Sequence, residues 1–376
     1  MRYYIIAGEA SGDLHASNMM KELALLDSSA DFRCWGGNMM EKQGGKLVKH
    51  YKDLAFMGFW EVITNIRTIY KNFKFCEQDI LKYKPDALIL VDYPGFNLRM
   101  AKFAHNHNIR VFYYISPQIW AWKQSRVHQI KKVVDRMFVI LPFEKEFYTR
   151  FNHEVSFVGH PLLDAIESNE TLVSRETLIN SYHLDNRPII TLLPGSRMQE
   201  IEKMLSVMLK VTDFYKEFQF VVCAVSSIDL NIYKKICIGY NVKIIVSDTY
   251  NILNNSFAAL VTSGTATLET ALFNVPQVVC YDANYFSYII AKNLVKLKFI
   301  SLVNLIMDKE VVTELIQKDF NAERLKKEFE AISFNTVKRN NILEAYTELR
   351  SKLGGSGASK KTATLIYQDM VKKVKP

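Results

Sequence analysis

Short, continuously apolar runs alternate along the chain with longer segments in which apolar residues recur at helical spacing. The runs that predict strands are 3–7, 32–35, 87–91, 111–115, 137–141, 155–158, 189–193, 220–224, 242–246, 258–261 and 278–281. Strands covered by helices on both faces are apolar throughout, so these runs favour buried parallel sheets. Because the alternation of strand and helix occurs twice, we expect two doubly wound α/β domains with a cleft between them.

A polar segment over residues 161–187 interrupts the alternation. We therefore expect a first domain over 1–165 and a second over 166–353, followed by a glycine-rich linker and a helix over 354–376. A helix this short needs a surface on which to dock. The pattern allows either the chain's own first domain or the partner subunit of a homodimer.

Composition narrows the class of protein. The 376 residues carry a net charge of +9, which suits nucleic acid, anionic lipid or phosphorylated substrates. Nucleic acid is disfavoured because the basic residues form no contiguous stripe. The cysteines lack CxxC spacing, no signal peptide precedes the first strand, and no apolar run approaches roughly 18 residues. We expect a cytoplasmic protein that meets a membrane only at its surface, and we expect neither a metal nor a cofactor.

Two turns in the second half each follow an apolar run and precede a helical segment. Free backbone N–H groups at helix N-termini attract anions, usually phosphates. The residues expected to hold a nucleotide diphosphate are Gly195, Ser196, Arg197, Ser263, Gly264, Thr265, Ala266, Thr267 and Glu269.

Some of these residues also have structural explanations. Ser196 and Gln199 fit a capping box with Ser196 as the N-cap. Arg197 has no such explanation, because a cation beside a helix N-terminus gains nothing from the dipole unless an anion is also bound. We place Glu269 in the first turn of its helix, where it either favours the dipole or binds ribose hydroxyls.

Asp92 directly follows the apolar strand 87–91 in the first half. A partly buried carboxylate at a strand tip has a raised pKa, which suits a general base. A carboxylate that caps the turn before Pro94 and Gly95 would show the same sequence.

Other polar residues also follow strands, where ligands of open α/β sheets bind. The turn from Gly8 to Asp13 has neither dinucleotide-fingerprint nor hydrolase-elbow spacing, so it either lines a substrate cleft or is a tight turn capped by Ser11 or Asp13. The tryptophans after Ser116 either line a sugar or acyl pocket or pack under a loop. His160 either lies in the cleft or has a structural role. The residues assigned to the acceptor cleft are Gly8, Glu9, Ser11, Gly12, Ser116, Trp120, His160 and Asn304.

The segment 54–75 crowds large apolar residues beside basic ones. This pattern suits a helix lying in a membrane interface, although a core helix with solvated lysines has the same appearance. The residues predicted to contact lipid are Phe56, Met57, Phe59, Trp60, Ile63 and Arg67.

Taken together, these motifs resemble those of the lipid-A-disaccharide synthases, a family of two-domain glycosyltransferases of the GT-B type with Rossmann-like halves. The matching motifs are Ala7–Asp13, Met57-Gly58, Ser116-Pro117, Trp120-Ala121-Trp122, Leu141–Glu144, Leu192–Arg197 and Ser263–Glu269. The resemblance extends from Ala7 to about Leu305.

The resemblance implies that UDP-2,3-diacylglucosamine and 2,3-diacylglucosamine 1-phosphate give the β-1,6-linked lipid A disaccharide 1-phosphate and UDP, with inversion and without a metal. It further implies peripheral association with inner-membrane lipids. The base that the family favours matches Asp92, and many relatives have a second acid where this chain has Gly95.

Other functions of the same fold remain open on the residues alone. A UDP-N-acetylglucosamine 2-epimerase or a peptidoglycan transferase would also use the two anion-binding turns. A non-catalytic module that binds nucleotide or lipid would not need a carboxylate at a strand tip.

Overall fold

The computed structural model describes residues 1–54, 66–169, 171–282 and 298–372. The chain forms two compact units, Met1–Glu167 with Leu353–Pro376, and Ser168–Lys352. Each unit contains one parallel sheet flanked by helices, which confirms the predicted class of two doubly wound α/β domains.

The first unit contains a seven-stranded sheet in the order β3-β2-β1-β4-β5-β6-β7. Its elements are β1 (Arg2–Ala7), α1 (Ala10–Leu26), β2 (Asp31–Gly36), α2 (Asn38–Lys42), β3 (Lys46–His50), α3 (Ile66–Tyr83), β4 (Ala87–Val91), α4 (Pro94–Asn106), β5 (Arg110–Tyr114), α5 (Ile119–Trp122), α6 (Val127–Val133), β6 (Arg136–Val139), α7 (Pro142–Thr149), β7 (Ser156–Phe157) and α8 (Pro161–Glu167). The central strands β1 and β4 are almost entirely buried, as continuous apolar runs predict.

The second unit contains a six-stranded sheet in the order β10-β9-β8-β11-β12-β13. Its elements are α9 (Arg175–Tyr182), β8 (Ile189–Leu193), α10 (Met198–Thr212), β9 (Gln219–Ala224), α11 (Leu230–Ile236), β10 (Val242–Val246), α12 (Thr249–Asn254), β11 (Ser256–Thr262), α13 (Thr265–Leu272), β12 (Gln277–Tyr281), α14 (Leu302–Met307), β13 (Glu314–Ile316), α15 (Ala322–Ser333) and α16 (Thr336–Lys352). Within the described residues, no helix is both long and apolar enough to cross a bilayer.

Two strands were not predicted from the sequence, and both lie at sheet edges. β3 consists of two adjacent apolar residues flanked by lysines and a histidine, and it is only partly buried. β13 has three residues. Edge strands bury less surface than central ones, so neither produces the apolar run by which the other strands were found.

The C-terminal tail forms α17 (Ala358–Lys372), which packs within the first unit. Its inner face buries Ala363, Ile366 and Met370 in the core formed by β1, α1 and β4. This is one of the two placements that the sequence left open.

Polar contacts hold both ends of the tail helix. The Asp164 carboxylate accepts hydrogen bonds from the backbone N–H groups of Gly357, Ala358 and Ser359, the last at 2.8 Å. Near the other end, Arg136 pairs with Asp369 at 2.8 Å. An anion at a helix N-terminus satisfies N–H groups that would otherwise lack partners, so Asp164 acts as a remote cap.

We expect Asp164→Ala to lower the free energy of unfolding by about 2 kcal/mol, the upper range for losing a helix cap. The isosteric Asp164→Asn variant retains an acceptor and should lose less. Asp369→Ala removes only a partly exposed ion pair and should cost about 1 kcal/mol or less. Urea unfolding measures all three, and an Asp164→Ala loss no larger than that of Asp369→Ala would contradict the capping role.

Candidate active site

Each sheet reverses its strand order at one point, between β1 and β4 in the first unit and between β8 and β11 in the second. Ligands of open parallel sheets bind at the carboxyl ends of the strands that flank such a reversal. Gly8 and Asp92 follow the first pair of strands, and Gly195 and Ser263 follow the second. The turns singled out in the sequence therefore meet pairwise at the two reversal points.

The backbone at Asp92 is held in an unusual conformation. Asp92 and Tyr93 have φ angles of 46° and 48°, in the left-handed region that non-glycine residues seldom adopt. The Asp92 N–H donates to the Tyr114 carbonyl at 3.0 Å. The Asp92 carbonyl accepts from Asn97 Nδ2 at 2.7 Å and from the Tyr113 hydroxyl at 2.6 Å. These bonds fix the direction in which the carboxylate leaves the strand.

The environment of Asp92 favours its protonated form. Burial raises the pKa of the Asp92 carboxyl to about 6, and the negative charge of nearby Glu9 adds to the rise. The Tyr93 backbone N–H opposes it. A carboxyl with a pKa near neutrality combines a large ionised fraction with appreciable basicity, as a general base requires.

The turn after β1 packs directly on the strand tip that carries Asp92. A Cβ atom on Gly8 would lie 2.3 Å from the Tyr93 ring, so this close approach requires glycine. Glu9 and Ser11 are exposed, while Gly12 is buried. Asp13 does not cap this turn; its carboxylate accepts hydrogen bonds from the N–H groups that begin α2, at 2.7 Å from Gly37.

Ser116 and Trp120 lie after β5 and are nearly inaccessible to solvent. Ser116 Oγ hydrogen-bonds the Tyr148 hydroxyl at 2.8 Å, and the Trp120 ring meets Phe143 edge to face. Next to them, Glu144 is 1% exposed and accepts from the Leu141 N–H at 2.9 Å. Burial raises the pKa of Glu144 to about 7. In the sequence, Glu144 stood out only within the motif Leu141–Glu144 and was assigned no site role, although Pro142 followed by Glu144 is the signal of a capped helix start.

His160 lies where the chain enters α8, next to the start of the tail. Its N–H donates to the Leu353 carbonyl at 3.1 Å, and its Nδ1 accepts from the Leu162 N–H at 3.2 Å. Burial lowers the pKa of His160 to about 3, and nearby His15 contributes. The ring is therefore neutral at physiological pH, and its hydrogen bonds are those of a structural residue.

The turn after β11 leads into α13 without a side-chain cap. Gly264 is the N-cap residue, with φ of 149°, a value available to glycine and rarely to other residues. Gly264 and Thr265 are exposed, and Ala266 is partly exposed. Thr267 is buried, with its hydroxyl donating to the Gly264 carbonyl at 2.8 Å. The exposed end of the helix thus presents uncapped N–H groups.

The capping box predicted for the turn after β8 is absent from the structure of that turn. α10 begins at Met198 with Arg197 as its N-cap residue and no side-chain cap, because the helix starts one residue later than Ser196 as N-cap requires. Arg197 pairs with Glu200 at 3.0 Å and is 70% exposed. Both turns at the second reversal point therefore end in uncapped helix N-termini, and a guanidinium lies at one of them.

Glu269 lies in the second turn of α13 rather than the first, because the helix already begins at Thr265. Its carboxylate accepts a hydrogen bond from the Tyr250 hydroxyl at 2.9 Å. Burial raises the pKa of Glu269.

Asn304 is fully buried and belongs to a hydrogen-bond network that supports the turn after β11. Its Oδ1 accepts from the N–H groups of Val311 and Val312, and its Nδ2 donates to Glu314 Oε1 at 2.8 Å. Glu314 also accepts from the N–H groups of Ile300 and Ser301. The Ile300 carbonyl in turn accepts from Ser263 Oγ at 3.1 Å, so this network holds the turn after β11 in place.

The predicted lipid-contact segment is described only in part. Its members outside the described residues are Phe56, Met57, Phe59, Trp60 and Ile63. Arg67 begins the described, exposed face of α3, which continues through Tyr70, Lys71 and Lys74. Phe73 of the same helix is buried against Phe96, with ring centroids 4.6 Å apart, and is a core residue.

Solved structures of other proteins resemble the fold of this chain. The S. aureus MnaA–UDP co-structure has a TM-score of 0.69 at 13% identity and covers 99% of this chain and 98% of its own. The UDP-GlcNAc 2-epimerase from Neisseria meningitidis has a TM-score of 0.60 at 14% identity, covering 99% of this chain and all of its own. At these identities the likeness establishes the fold alone.

Comparison of sequences is more specific. The Lipid-A-disaccharide synthetase family model matches residues 3–368. The lipid-A-disaccharide synthase of Syntrophus aciditrophicus is 38% identical, with 96% of each chain covered. That of Geobacter metallireducens is 37% identical, covering 99% of this chain and 98% of its own. The chain therefore belongs to the lipid-A-disaccharide synthase family and is a glycosyltransferase of lipid A biosynthesis.

Proposed function

We propose that the enzyme transfers 2,3-diacylglucosamine from its UDP donor to the 6-hydroxyl of 2,3-diacylglucosamine 1-phosphate, with Asp92 as the general base. Asp92 accepts the hydroxyl proton as the oxygen attacks the anomeric carbon from the face opposite UDP. The carbon–oxygen bond to the diphosphate breaks as the new glycosidic bond forms, and the centre inverts. The single observation that carries this proposal is the Asp92 carboxyl itself, held at the β1/β4 reversal point with a pKa of about 6.

One base rather than two is inferred from the sequence, which has no second acid in the turn after Asp92. Gly95, where relatives with a second acid would carry it, is exposed, and a Cβ atom there would meet nothing within 4 Å. An acidic side chain would fit, so its absence from this chain is not imposed by packing. The proton-accepting role then belongs to Asp92, with Glu9 tuning its pKa.

The uncapped N-termini of α10 and α13 are suited to the departing diphosphate. Backbone N–H groups and the helix dipole stabilise developing negative charge without reorganising during the reaction. Arg197 adds a charge-assisted hydrogen bond when it turns from Glu200 to the diphosphate. Glu269 takes the ribose hydroxyls. Among the described residues, no cluster of three His, Cys, Asp or Glu side chains is arranged to bind a metal.

Both sugar substrates are amphiphiles, and the exposed face of α3 suits the surface of the inner membrane. Arg67, Lys71 and Lys74 carry positive charge there, and Tyr70 is 50% exposed. Lys74 lies over the Tyr70 ring at 5.1 Å, which keeps an aromatic and a cation together as in interfacial helices.

Exchange of the tail between two chains would give a homodimer with the same contacts to Asp164 and Arg136. Such an exchange would reuse an existing interface, as domain swapping does. Light scattering of the full chain gives its mass, and removal of residues 354–376 would abolish a dimer held by the tail.

Asp92→Asn should lower kcat by about a hundredfold or more, because the amide cannot accept the proton. The affinity for UDP should stay within about twofold, since the nucleotide turns belong to the other unit. Mass spectrometry of the disaccharide phosphate and calorimetry with UDP measure the two quantities. Asp86→Asn, at the opposite end of β4, is the matched control, and undiminished turnover in Asp92→Asn would refute the assignment.

The pH profile should reveal the same group. Because Asp92 must be ionised to act and its pKa is raised to about 6, kcat/KM should fall as the pH drops through about 6. Glu9→Gln removes a negative neighbour and should move this limb to lower pH. A profile that stays level down to about pH 5 would exclude a base with the pKa of Asp92.

Membrane association should depend on the α3 face. Reversing the charge of Arg67, Lys71 and Lys74 together should weaken binding to anionic vesicles by at least tenfold, given about 1 kcal/mol for each basic residue near such a surface. The matched control reverses Lys234, Lys235 and Lys243, which lie in the second unit. Equal effects of the two triple variants in vesicle sedimentation would indicate general electrostatics rather than a defined face.

A further inference from the structure

A cavity of about 320 Å³ opens at the carboxyl end of β10. Its walls include Asn169, Thr171, Ser247, Asp248, Tyr250 and Asn251. Asp248 is fully engaged there, since its two oxygens accept from the Tyr182 hydroxyl at 2.6 Å and from Asn251 Nδ2 at 2.8 Å. The hydroxyl of Tyr250 makes a different bond, to Glu269 on the neighbouring helix α13.

Two contacts fix the orientation of Tyr250. Its ring lies 5.2 Å from the ring of Phe273, which follows α13. Its hydroxyl donates to Glu269 Oε1 at 2.9 Å. The phenol therefore joins α12 to α13 and sets the rotamer of Glu269. Within the described part of the chain, it is the one hydrogen-bond donor to that carboxylate.

We propose that Tyr250 is a positioning residue for the sugar-nucleotide donor, holding the Glu269 carboxylate in place and ionised for the ribose hydroxyls. The inference rests on the proposed role of Glu269. It adds that the affinity for the nucleotide is set partly by a residue that belongs to neither anion-binding turn.

The electrostatic surroundings explain why a neutral phenol matters. Burial raises the pKa of Glu269, and the Tyr250 hydrogen bond opposes that rise. The other helices packed on α13 supply no described cation beside the carboxylate: Arg350 donates to the Leu272 carbonyl at the far end of α13, and Asn304 is bound to Glu314. Asp248, on the side of α12, carries a negative charge of its own. Without the Tyr250 hydroxyl, a larger fraction of Glu269 should be protonated at a given pH.

Tyr250→Phe tests the inference, because it keeps the ring on Phe273 and removes only the hydroxyl. We expect the dissociation constant for UDP and the donor KM to rise about tenfold near neutral pH, the effect of losing one hydrogen bond to a charged group, with kcat little changed. The loss should be larger at the acidic end than at the alkaline end of the pH range in which the enzyme is folded, because the pKa of Glu269 is higher in the variant. Calorimetry with UDP across this range gives the profile.

Two comparison variants separate the possible results. Tyr215→Phe removes a Tyr–Glu hydrogen bond of 2.7 Å to Glu330. Tyr215 lies just before β9, at the amino ends of the strands and so away from the proposed nucleotide turns, and this variant should bind UDP like wild type. Glu269→Gln should bind UDP weakly at every pH. A Tyr250→Phe loss that is equal at all pH values, or that Tyr215→Phe shares, would overturn the positioning role. Wild-type UDP affinity in Glu269→Gln would instead refute the proposed function of Glu269, whatever Tyr250→Phe shows.

Discussion

The left-handed backbone at Asp92 and Tyr93 is the constraint on which the proposed acceptor site depends. Two consecutive non-glycine residues in this region cost about 1–2 kcal/mol each. The conformation persists because hydrogen bonds from Asn97 and Tyr113, and one to Tyr114, leave the backbone no alternative that keeps them. The strain places the Tyr93 ring against Gly8, and so the turn after β1 and the tip of β4 become one rigid surface. The fixed backbone sets the direction of the Cα–Cβ bond of Asp92, so less reorganisation is needed before its carboxylate accepts a proton in the proposed mechanism.

In the second unit, a network of hydrogen bonds holds the turn after β11. Glu314 gathers N–H and amide donors from Ile300, Ser301 and Asn304, and the Ile300 carbonyl then holds Ser263. The polar groups of this scaffold are satisfied by one another. The N-termini of α10 and α13 are uncapped by side chains, so their N–H groups are not consumed by the fold. The contrast between a satisfied scaffold and helix ends without side-chain caps is the arrangement that the proposed diphosphate site requires.

The sequence predicted the central strands and the placement of both pairs of turns, because a strand buried on two faces has an apolar run that polar residues must follow. It did not predict the hydrogen bonds that hold these turns. Asn97 and Tyr113 donate to the Asp92 carbonyl from α4 and β5. Glu314 of β13 accepts from the Ile300 N–H. No local sequence pattern indicates these contacts. Burial could not be read from the sequence either: Ser116, His160 and Asn304 are almost inaccessible to solvent, and their assignment to the acceptor cleft stays a prediction. Helix α10 begins one residue later than predicted, so Ser196 is not its cap, and α13 begins early enough that Glu269 lies in its second turn.

In the proposed mechanism, the two charges that develop during the reaction are complemented by residues of different folding units. Inverting transfer develops positive charge at the anomeric carbon and negative charge on the diphosphate. Under that proposal the first unit supplies the carboxylates Glu9 and Asp92 and the second supplies Arg197 and helix N-termini, so each unit would complement one of the two developing charges. The bonds that orient Asp92 come from within the first unit, and those that orient Ser263 come from within the second. Each half-site is therefore preorganised by its own fold, and the cost of ordering its groups is met during folding rather than at the moment of reaction.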